Sequence, residues 1–360
     1  MPPDRLTTSA PGRLCLFGEH QDFLGLPVIA LAVTREITFT GTRREDGVFR
    51  LDLPDIDDRD EIDPRNEVAH RHRRDYLRSA VNVLRREGLR CRYGYDVTVR
   101  GNIPINAGCG SSSAMLNAWI AFLAASQSDV FPRDPVTVAR LAHRAEVIEF
   151  NEPGGMMDHY TSALGGLLHI KTEGEIECTR LPAKLEGFVL GDSLTPKDTT
   201  TTLARSRQAM ARAVAVARQE INQFSIHATS VEEARGVFPN LEQRGQEMLE
   251  GNLINRDLCV TAHRLLTAEE PDTAEIGRLL RAHHDQLSRN IQVSTEKIDR
   301  MVEAALAAGA LGAKINGSGG GGCMFALAPG RQPQVAAAIE SAGGKAYLVD
   351  SHPGLTVTAE

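Results

Sequence analysis

Cysteine pairs are missing from this sequence. Its six cysteines, Cys15, Cys91, Cys109, Cys178, Cys259 and Cys323, lie far apart with no Cys-x-x-Cys spacing. That argues against a structural zinc site and against a disulfide framework. They read as reduced, mostly buried thiols of a cytoplasmic protein. Long apolar runs are also missing: near the N-terminus there are only the short stretches Leu14 to Phe17 and Leu24 to Val33, so neither a signal peptide nor a membrane span is expected. Positive charge is not in surplus. The chain has 40 Lys and Arg against 47 Asp and Glu, a net −7, which speaks against indiscriminate binding to nucleic acid or anionic membranes. The one basic knot, Arg71-His-Arg-Arg74, lacks the further cations and stacking aromatics of a nucleic-acid patch, and is expected on the exposed face of a helix from Asp63-Pro64 to Arg86. Internal repeats and low-complexity stretches are absent. So is Gly-x4-Gly-Lys-Ser/Thr, and Gly108-x-Gly110 lacks the third glycine of the dinucleotide fingerprint.

What is there is an ordinary soluble composition, 42% hydrophobic and 24% charged over 360 residues, enough for two domains or one large domain with two lobes. The stretch Pro104-Ile-Asn-Ala-Gly-Cys-Gly-Ser-Ser-Ser-Ala114 runs into the apolar segment Met115 to Leu123 after a strand at Tyr93 to Arg100. Gly108 and Gly110 let the backbone approach a ligand, and Ser111, Ser112 and Ser113 bring hydroxyls to the start of a helix, where free N–H groups and the helix dipole favour a phosphate. A Gly/Ser turn that merely caps a helix reads the same way. Earlier, a strand over 6–17, interrupted at Ala10-Pro-Gly-Arg13, and a strand over 28–40 enclose Glu19, His20 and Asp22. These three are either a solvated turn or a polyol site, since carboxylates and imidazole pair with sugar hydroxyls. Arg13 either sets a fixed charge beside a phosphate or salt-bridges on the surface. Glu146 and Asp158 flank the break Asn151-Glu-Pro-Gly-Gly155 and can reach one cleft, one as metal ligand and one as base; an exposed Glu and a capping Asp are the plain alternative. His143 and His159 taken singly read as packing or surface residues. Residues 43 to 74 read as a charged, largely solvated segment.

From Gly187 a second unit begins, with a strand at Phe188 to Leu190, the Thr195-Pro-Lys197 and threonine run, and helices near 203–223, 230–250, 255–267 and 273–289. Lys197 either touches phosphate or caps a helix. A helix over 296–311 leads into Gly312-Ala-Lys-Ile-Asn-Gly-Ser-Gly-Gly-Gly-Gly322 and the strand Cys323 to Leu327. So many glycines cost folding entropy, which points to close approach of the backbone to a ligand or to the other lobe. A helix near 332–342 and strands at 345–350 and 354–358 are expected to close a small α+β layer.

Ala10-Pro-Gly-Arg-Leu-Cys-Leu-Phe-Gly-Glu-His-Gln-Asp22, Pro104 to Ala114 and Lys314-Ile-Asn-Gly-Ser-Gly-Gly-Gly-Gly-Cys323, in this order, resemble the three signature motifs of the GHMP kinases, the galactokinase, homoserine, mevalonate and phosphomevalonate kinase superfamily. The resemblance implies a two-domain α+β fold: a ribosomal-protein-S5-like domain at 1–185 and a ferredoxin-like domain at 186–360. It also implies ATP and Mg²⁺, with transfer of the γ-phosphoryl group to a hydroxyl of a small molecule. The first motif is most similar to galactokinase, and so is Pro153-Gly-Gly-Met-Met-Asp158. That similarity implies Glu19, His20, Asp22 and Asp158 at a sugar and Asp158 as base with Arg13 beside it. It further implies Gly108, Gly110 and Ser111 to Ser113 at ATP, one of these serines (Ser112) with Glu146 at Mg²⁺, and Gly317, Gly319, Gly320 and Gly321 as the third motif. Departures are Gln21, Phe23 and Leu24 for the usual Thr, Tyr and Asn, and a third motif closer to mevalonate kinases. The expected activity is that of a galactokinase-like enzyme giving a sugar 1-phosphate. The alternatives are a mevalonate kinase, a kinase of a heptose, arabinose or uronic acid, and a sugar and ATP sensor without activity. A monomer or homodimer is expected, with no nucleic-acid or membrane partner.

Overall fold

Thirteen residues of alternating and then continuous apolar character form β1 (Arg5–Phe17), which stays buried along nearly its whole length. The structure is a computed structural model; it describes residues 2–105, 108–127, 134–152, 154–196 and 199–360, with backbone alone for 199–201. Lys197 lies outside the described residues. The expected interruption of β1 at Pro11 is a bulge: the pairing register with β2 (Val28–Arg44) shifts between Pro11 and Gly12, and the strand continues. The extra residues, Thr34 and Arg35, lie on β2, and β1 carries on through Arg13 without a break.

The charged segment 43–74 is more ordered than its composition suggested. It contains the hairpin β3 (Phe49–Leu53) and β4 (Asp58–Ile62), with Phe49 paired to Ile62 and both fully buried. Arg50, Asp52, Arg59 and Glu61 cover the outer face, and these charges hid the period-2 pattern. The helix expected from Asp63 begins well after it, as α1 (Tyr76–Arg86). Asp75 caps it by accepting from Arg78 N–H, while the Asp63 side chain closes a local turn on Arg65 N–H instead. Arg71 to Arg74 therefore precede the helix rather than lying on its face.

β5 (Gly94–Gly101) leads to α2 (Ser111–Ala125), whose buried residues include Leu116, Trp119, Phe122 and Leu123. A helix apolar all round belongs inside; Trp119 stacks with Phe39 of β2 and with Phe122, Phe122 meets Phe39 at a tilt, and Trp119 meets Phe49 edge-on. α3 (Pro135–His143) passes into a π-helical turn, Arg144–Ile148. Then come α4 (Met157–Leu164), β6 (Leu167–Lys171) and β7 (Glu177–Arg180).

The second lobe has β8 (Phe188–Asp192), α5 (Thr199–Glu220), the short α6 (Val231–Arg235), α7 (Gln243–Leu266), α8 (Thr273–Asp285) and α9 (Glu296–Ala307). It continues with β9 (Gly312–Asn316), β10 (Cys323–Leu327), α10 (Gln332–Ser341), β11 (Lys345–Val349) and β12 (Thr356–Ala359). Two expectations fail here. The helices read as 230–250 and 255–267 are short α6 and one unbroken α7, and Gly312 to Asn316 is a strand rather than part of the glycine loop.

The small sheet is antiparallel, in the order β11-β8-β10-β9. The larger runs β12-β1-β2-β5-β3-β4, with β6 on β2 and β7 on β6. Thus β12, expected to close the second lobe, pairs with β1 of the first, Leu6 opposite Ala359. Apolar packing also crosses between lobes: Cys259, Leu266, Leu279 and Leu280 of α7 and α8 belong to the same buried cluster as Phe17 and Leu31. Each large apolar side chain contributes about 1.5–3 kcal/mol on burial, so the cleft between the lobes has a fixed floor.

Candidate active site

Just past the bulge, Arg13 leaves β1 as a buried residue, 4% exposed. Its Nε donates to Asp158 Oδ1 and its Nη2 to Asp158 Oδ2, both at 2.7 Å, and Nη1 donates to the Gly108 carbonyl. Burial opposes the charge, but Asp158 and Glu19 outweigh it and hold the Arg13 pKa above its ordinary value. Asp158 comes from the first turn of α4 and keeps part of its side chain open to the cleft. The phosphate-type loop is fastened to the same strand, with Arg13 N–H on the Cys109 carbonyl at 2.9 Å.

Gly110 takes a left-handed conformation at the start of α2 and offers no side-chain cap to its first N–H groups. Ser111 and Ser112 are half-buried there, Ser113 buried. Ser112 Oγ donates to Glu146 Oε1 at 2.5 Å and Ser113 Oγ to Glu146 Oε2 at 2.8 Å. His159 Nε2 donates to that second oxygen, also at 2.8 Å. Burial works against an ionised Glu146, but these three donors prevail, His159 foremost, and keep its pKa below the usual range. The structure therefore makes His159 part of the site, where its sequence context suggested a packing or surface residue.

The loop after β1 holds the expected polyol residues, in three different situations. Glu19, 2% exposed, is ion-paired with the fully buried Lys314 of β9, Nζ to Oε2 2.8 Å, and Lys314 also donates to the Cys15 carbonyl. His20 adopts φ +62° and its Nε2 donates to the Ser318 carbonyl at 3.0 Å; such left-handed backbone is uncommon outside glycine and clusters at binding sites. Asp22 remains half-buried, faces the cleft, and among the described residues is paired with no cation. Burial, then the nearby Asp158, push its pKa up to about 6 against the pull of the Phe23 N–H; Glu19 adds to the rise and Arg13 offsets part of it. Gly155 is packed on this carboxylate so closely that a Cβ there would lie 1.6 Å from Oδ2.

The third motif is divided. Gly317 lines the cleft with Ser318. At φ +83°, with the place of a Cβ 2.5 Å from the Gly108 carbonyl, it lets the two glycine loops meet. Gly319, Gly320 and Gly321 instead pack on Val293, Thr202 and the Thr195–Pro196 backbone within the second lobe. Asn316, inside the third motif but with no role read from the sequence, ties β1, the phosphate-type loop and β9 together: Oδ1 accepts from Cys15 N–H, and Nδ2 donates to the Gly108 carbonyl at 2.8 Å.

Arg13, Glu19, His20, Asp22, Glu146 and Asp158 line one cleft of about 230 Å³. Arg74, Tyr76 and Glu152 complete one wall: Arg74 holds Glu152 with Nε and Nη2, and Tyr76 donates to it at 3.2 Å. Among the described residues no group of three or more His, Cys, Asp or Glu is gathered for a metal, and no helix is long and apolar enough to cross a membrane.

Comparison with known proteins agrees with this architecture. A galactokinase galactose-binding signature matches residues 2–43, the GHMP kinases N terminal domain residues 75–166, and GHMP kinases C terminal residues 264–345. The chain is 30% identical over 367 residues to the mevalonate kinase of Thermococcus onnurineus, covering 98% of each chain. It is 26% identical over 339 residues to a Haemophilus influenzae galactokinase, covering 90% of this chain and 85% of that one. Among solved structures, Lactococcus lactis galactokinase complexed with galactose superposes with a TM-score of 0.82 at 20% identity, covering 98% of this chain and 95% of its own. Signatures, relatives and two-lobed fold agree: the chain belongs to the GHMP kinases. Within that family it is a phosphotransferase whose acceptor is a hydroxyl group.

Proposed function

We propose that this protein transfers the γ-phosphoryl group of ATP to a hydroxyl of a neutral sugar, in galactokinase-like fashion, giving a sugar 1-phosphate. The observation that carries the reading is Asp22. It is a cleft carboxylate without a paired cation among the described residues, and it sits beside Asp158, where the acceptor hydroxyl must lie. A carboxylate in that position accepts from two sugar hydroxyls and repels an anionic acceptor. The match of residues 2–43 to a galactose-binding signature supports it.

A second reading, mevalonate kinase, has the 30% identity of the Thermococcus onnurineus enzyme behind it. Mevalonate carries a carboxylate, and three cations around the cleft are already engaged: Arg13 with Asp158, Arg74 with Glu152, Lys314 with Glu19. The same reasoning places uronic acids behind neutral sugars.

The donor end suits a nucleotide triphosphate. The open first turn of α2 and Ser111 to Ser113 would receive its phosphates. Glu146 and Ser112, the more exposed of its two serine partners, would hold Mg²⁺, an ion that needs only one or two protein oxygens when phosphates supply others. Bound there, it supplies charge neutralisation at the phosphates. Asp158, fixed at both oxygens by Arg13, takes or orients the proton of the acceptor hydroxyl, and Arg13 faces the charge on the transferring group. Glu19 acts indirectly, holding the sugar loop on Lys314. The test is ADP release from Mg-ATP with D-galactose, other hexoses, heptoses, L-arabinose, glucuronate, galacturonate and mevalonate. Selective turnover of one neutral sugar is expected; turnover of mevalonate alone refutes the reading.

A further inference from the structure

Glu146 stands on the π-helical turn Arg144–Ile148, an extra-residue bulge between α3 and the loop to α4. Such bulges turn a side chain away from the regular helical face and recur at functional sites. The carboxylate is not left to find its own direction. Ser112 holds one oxygen, and Ser113 and His159 converge on the other. Ser112 and Ser113 belong to the phosphate loop's helix, whereas His159 comes from α4, next in sequence to Asp158. Its own position is fixed by further contacts: the residue is 2% exposed, its carbonyl accepts from Asn117 Nδ2 of α2 at 2.8 Å, and His143 of α3 packs edge-on against its ring at 5.3 Å.

The tautomer follows from the contacts. Facing a carboxylate, Nε2 carries the proton. Nδ1 is buried with no partner among the described residues, which suits a bare lone pair in a neutral ring better than a second N–H. His159 is therefore a fixed one-point donor at Oε2.

Resting on the assignment of Glu146 to Mg²⁺ above, we propose that His159 is a positioning residue for metal binding: its Nε2–H holds Glu146 in the orientation that presents Oε1 and Ser112 to the ion at the phosphate end of the cleft. Because Asp158 and His159 are adjacent on one helical turn, the same element sets the base and the metal carboxylate, and a shift of α4 moves both.

The experiment compares the unsubstituted protein with His159→Leu and His159→Gln, whose amide can place an N–H where Nε2 is. Mn²⁺ binding in the presence of ADP, read from the electron paramagnetic resonance signal of the free ion, needs no acceptor and so does not depend on the sugar reading. The expected result is Mn²⁺ affinity about 10–100-fold weaker in His159→Leu, the range for loss of a group that orients a ligand, and largely restored in His159→Gln. The thermal midpoints of the two variants are expected to be alike. Unchanged Mn²⁺ affinity in His159→Leu overturns the proposal, as does equal weakening in both folded variants. If the unsubstituted protein binds no Mn²⁺ with ADP, the assignment of Glu146 falls and the proposal with it.

Discussion

Arg13 and Asp158, 145 positions apart in sequence, meet in a two-point ion pair with both N–O distances at 2.7 Å. Strand β1 runs through the register shift at Pro11/Gly12, whose extra residues lie on β2, and the Gly108 carbonyl takes the remaining guanidinium edge of Arg13. The pair puts a fixed carboxylate and a fixed cation on one spot, the requirement for deprotonating an alcohol beside a phosphate.

Asp158→Asn keeps the shape and one hydrogen-bond acceptor for Arg13 but removes the proposed base. Turnover is expected to fall about 10²–10⁴-fold, with nucleotide binding, measured by calorimetry, little changed. Normal turnover removes Asp158 from the mechanism.

Asp22 gives the reaction a pH signature. Its pKa is raised to about 6, so it is ionised above that value and protonated below it, and only the ionised form accepts from two hydroxyls. The kcat/KM for the sugar is therefore expected to be flat above about pH 6 and to fall about tenfold per pH unit below it. Asp22→Asn lowers the plateau and abolishes this limb; a limb that persists in the variant assigns it to another group.

Gly155→Ala probes Asp22 without touching it chemically. The new methyl would overlap Oδ2, so the carboxylate must turn away. The expected cost is a KM for the sugar raised about 10–100-fold, the loss of a charge-assisted hydrogen bond, with the KM for ATP steady. Equal changes in both constants would mean that the loop as a whole, not Asp22, has moved.

The ion pair of Glu19 with Lys314 joins the loop after β1 to the second lobe from within the core. Lys314→Met strands a buried carboxylate and is expected to cost about 3–5 kcal/mol, while adding Glu19→Gln recovers a large part of it. Urea unfolding followed by Trp119 fluorescence and circular dichroism reads both values; strictly additive losses would show the two groups to be uncoupled.

Legibility of the site in the sequence tracks sequence distance. Glu19 to Asp22, Gly108 to Ser113 and Pro153 to Asp158 are contiguous, carry recognisable chemistry, and are readable as motifs. The roles of Lys314 and Asn316, although both lie in the third motif, and of His159 are not: each acquires its role from a partner on another element, across 295 residues for Lys314 and Glu19. Arg74 is misplaced by sequence reasoning because the charges of residues 43–74 mask a hairpin and a late helix start at Asp75. The alternating apolar strands and the all-apolar α2 are legible because burial alone fixes them. The return of β12 to β1 is not, since a four-residue exposed strand has no pattern that names its neighbour.

The most direct measurement is a competition in one vessel: equimolar D-galactose, glucuronate and mevalonate with limiting Mg-ATP, and the products resolved by phosphorus NMR. A sugar 1-phosphate as the dominant product is the result expected from an acceptor cleft in which Asp22 has no paired cation among the described residues. Phosphomevalonate as the dominant product would contradict it and return the chain to the specificity of its mevalonate kinase relatives.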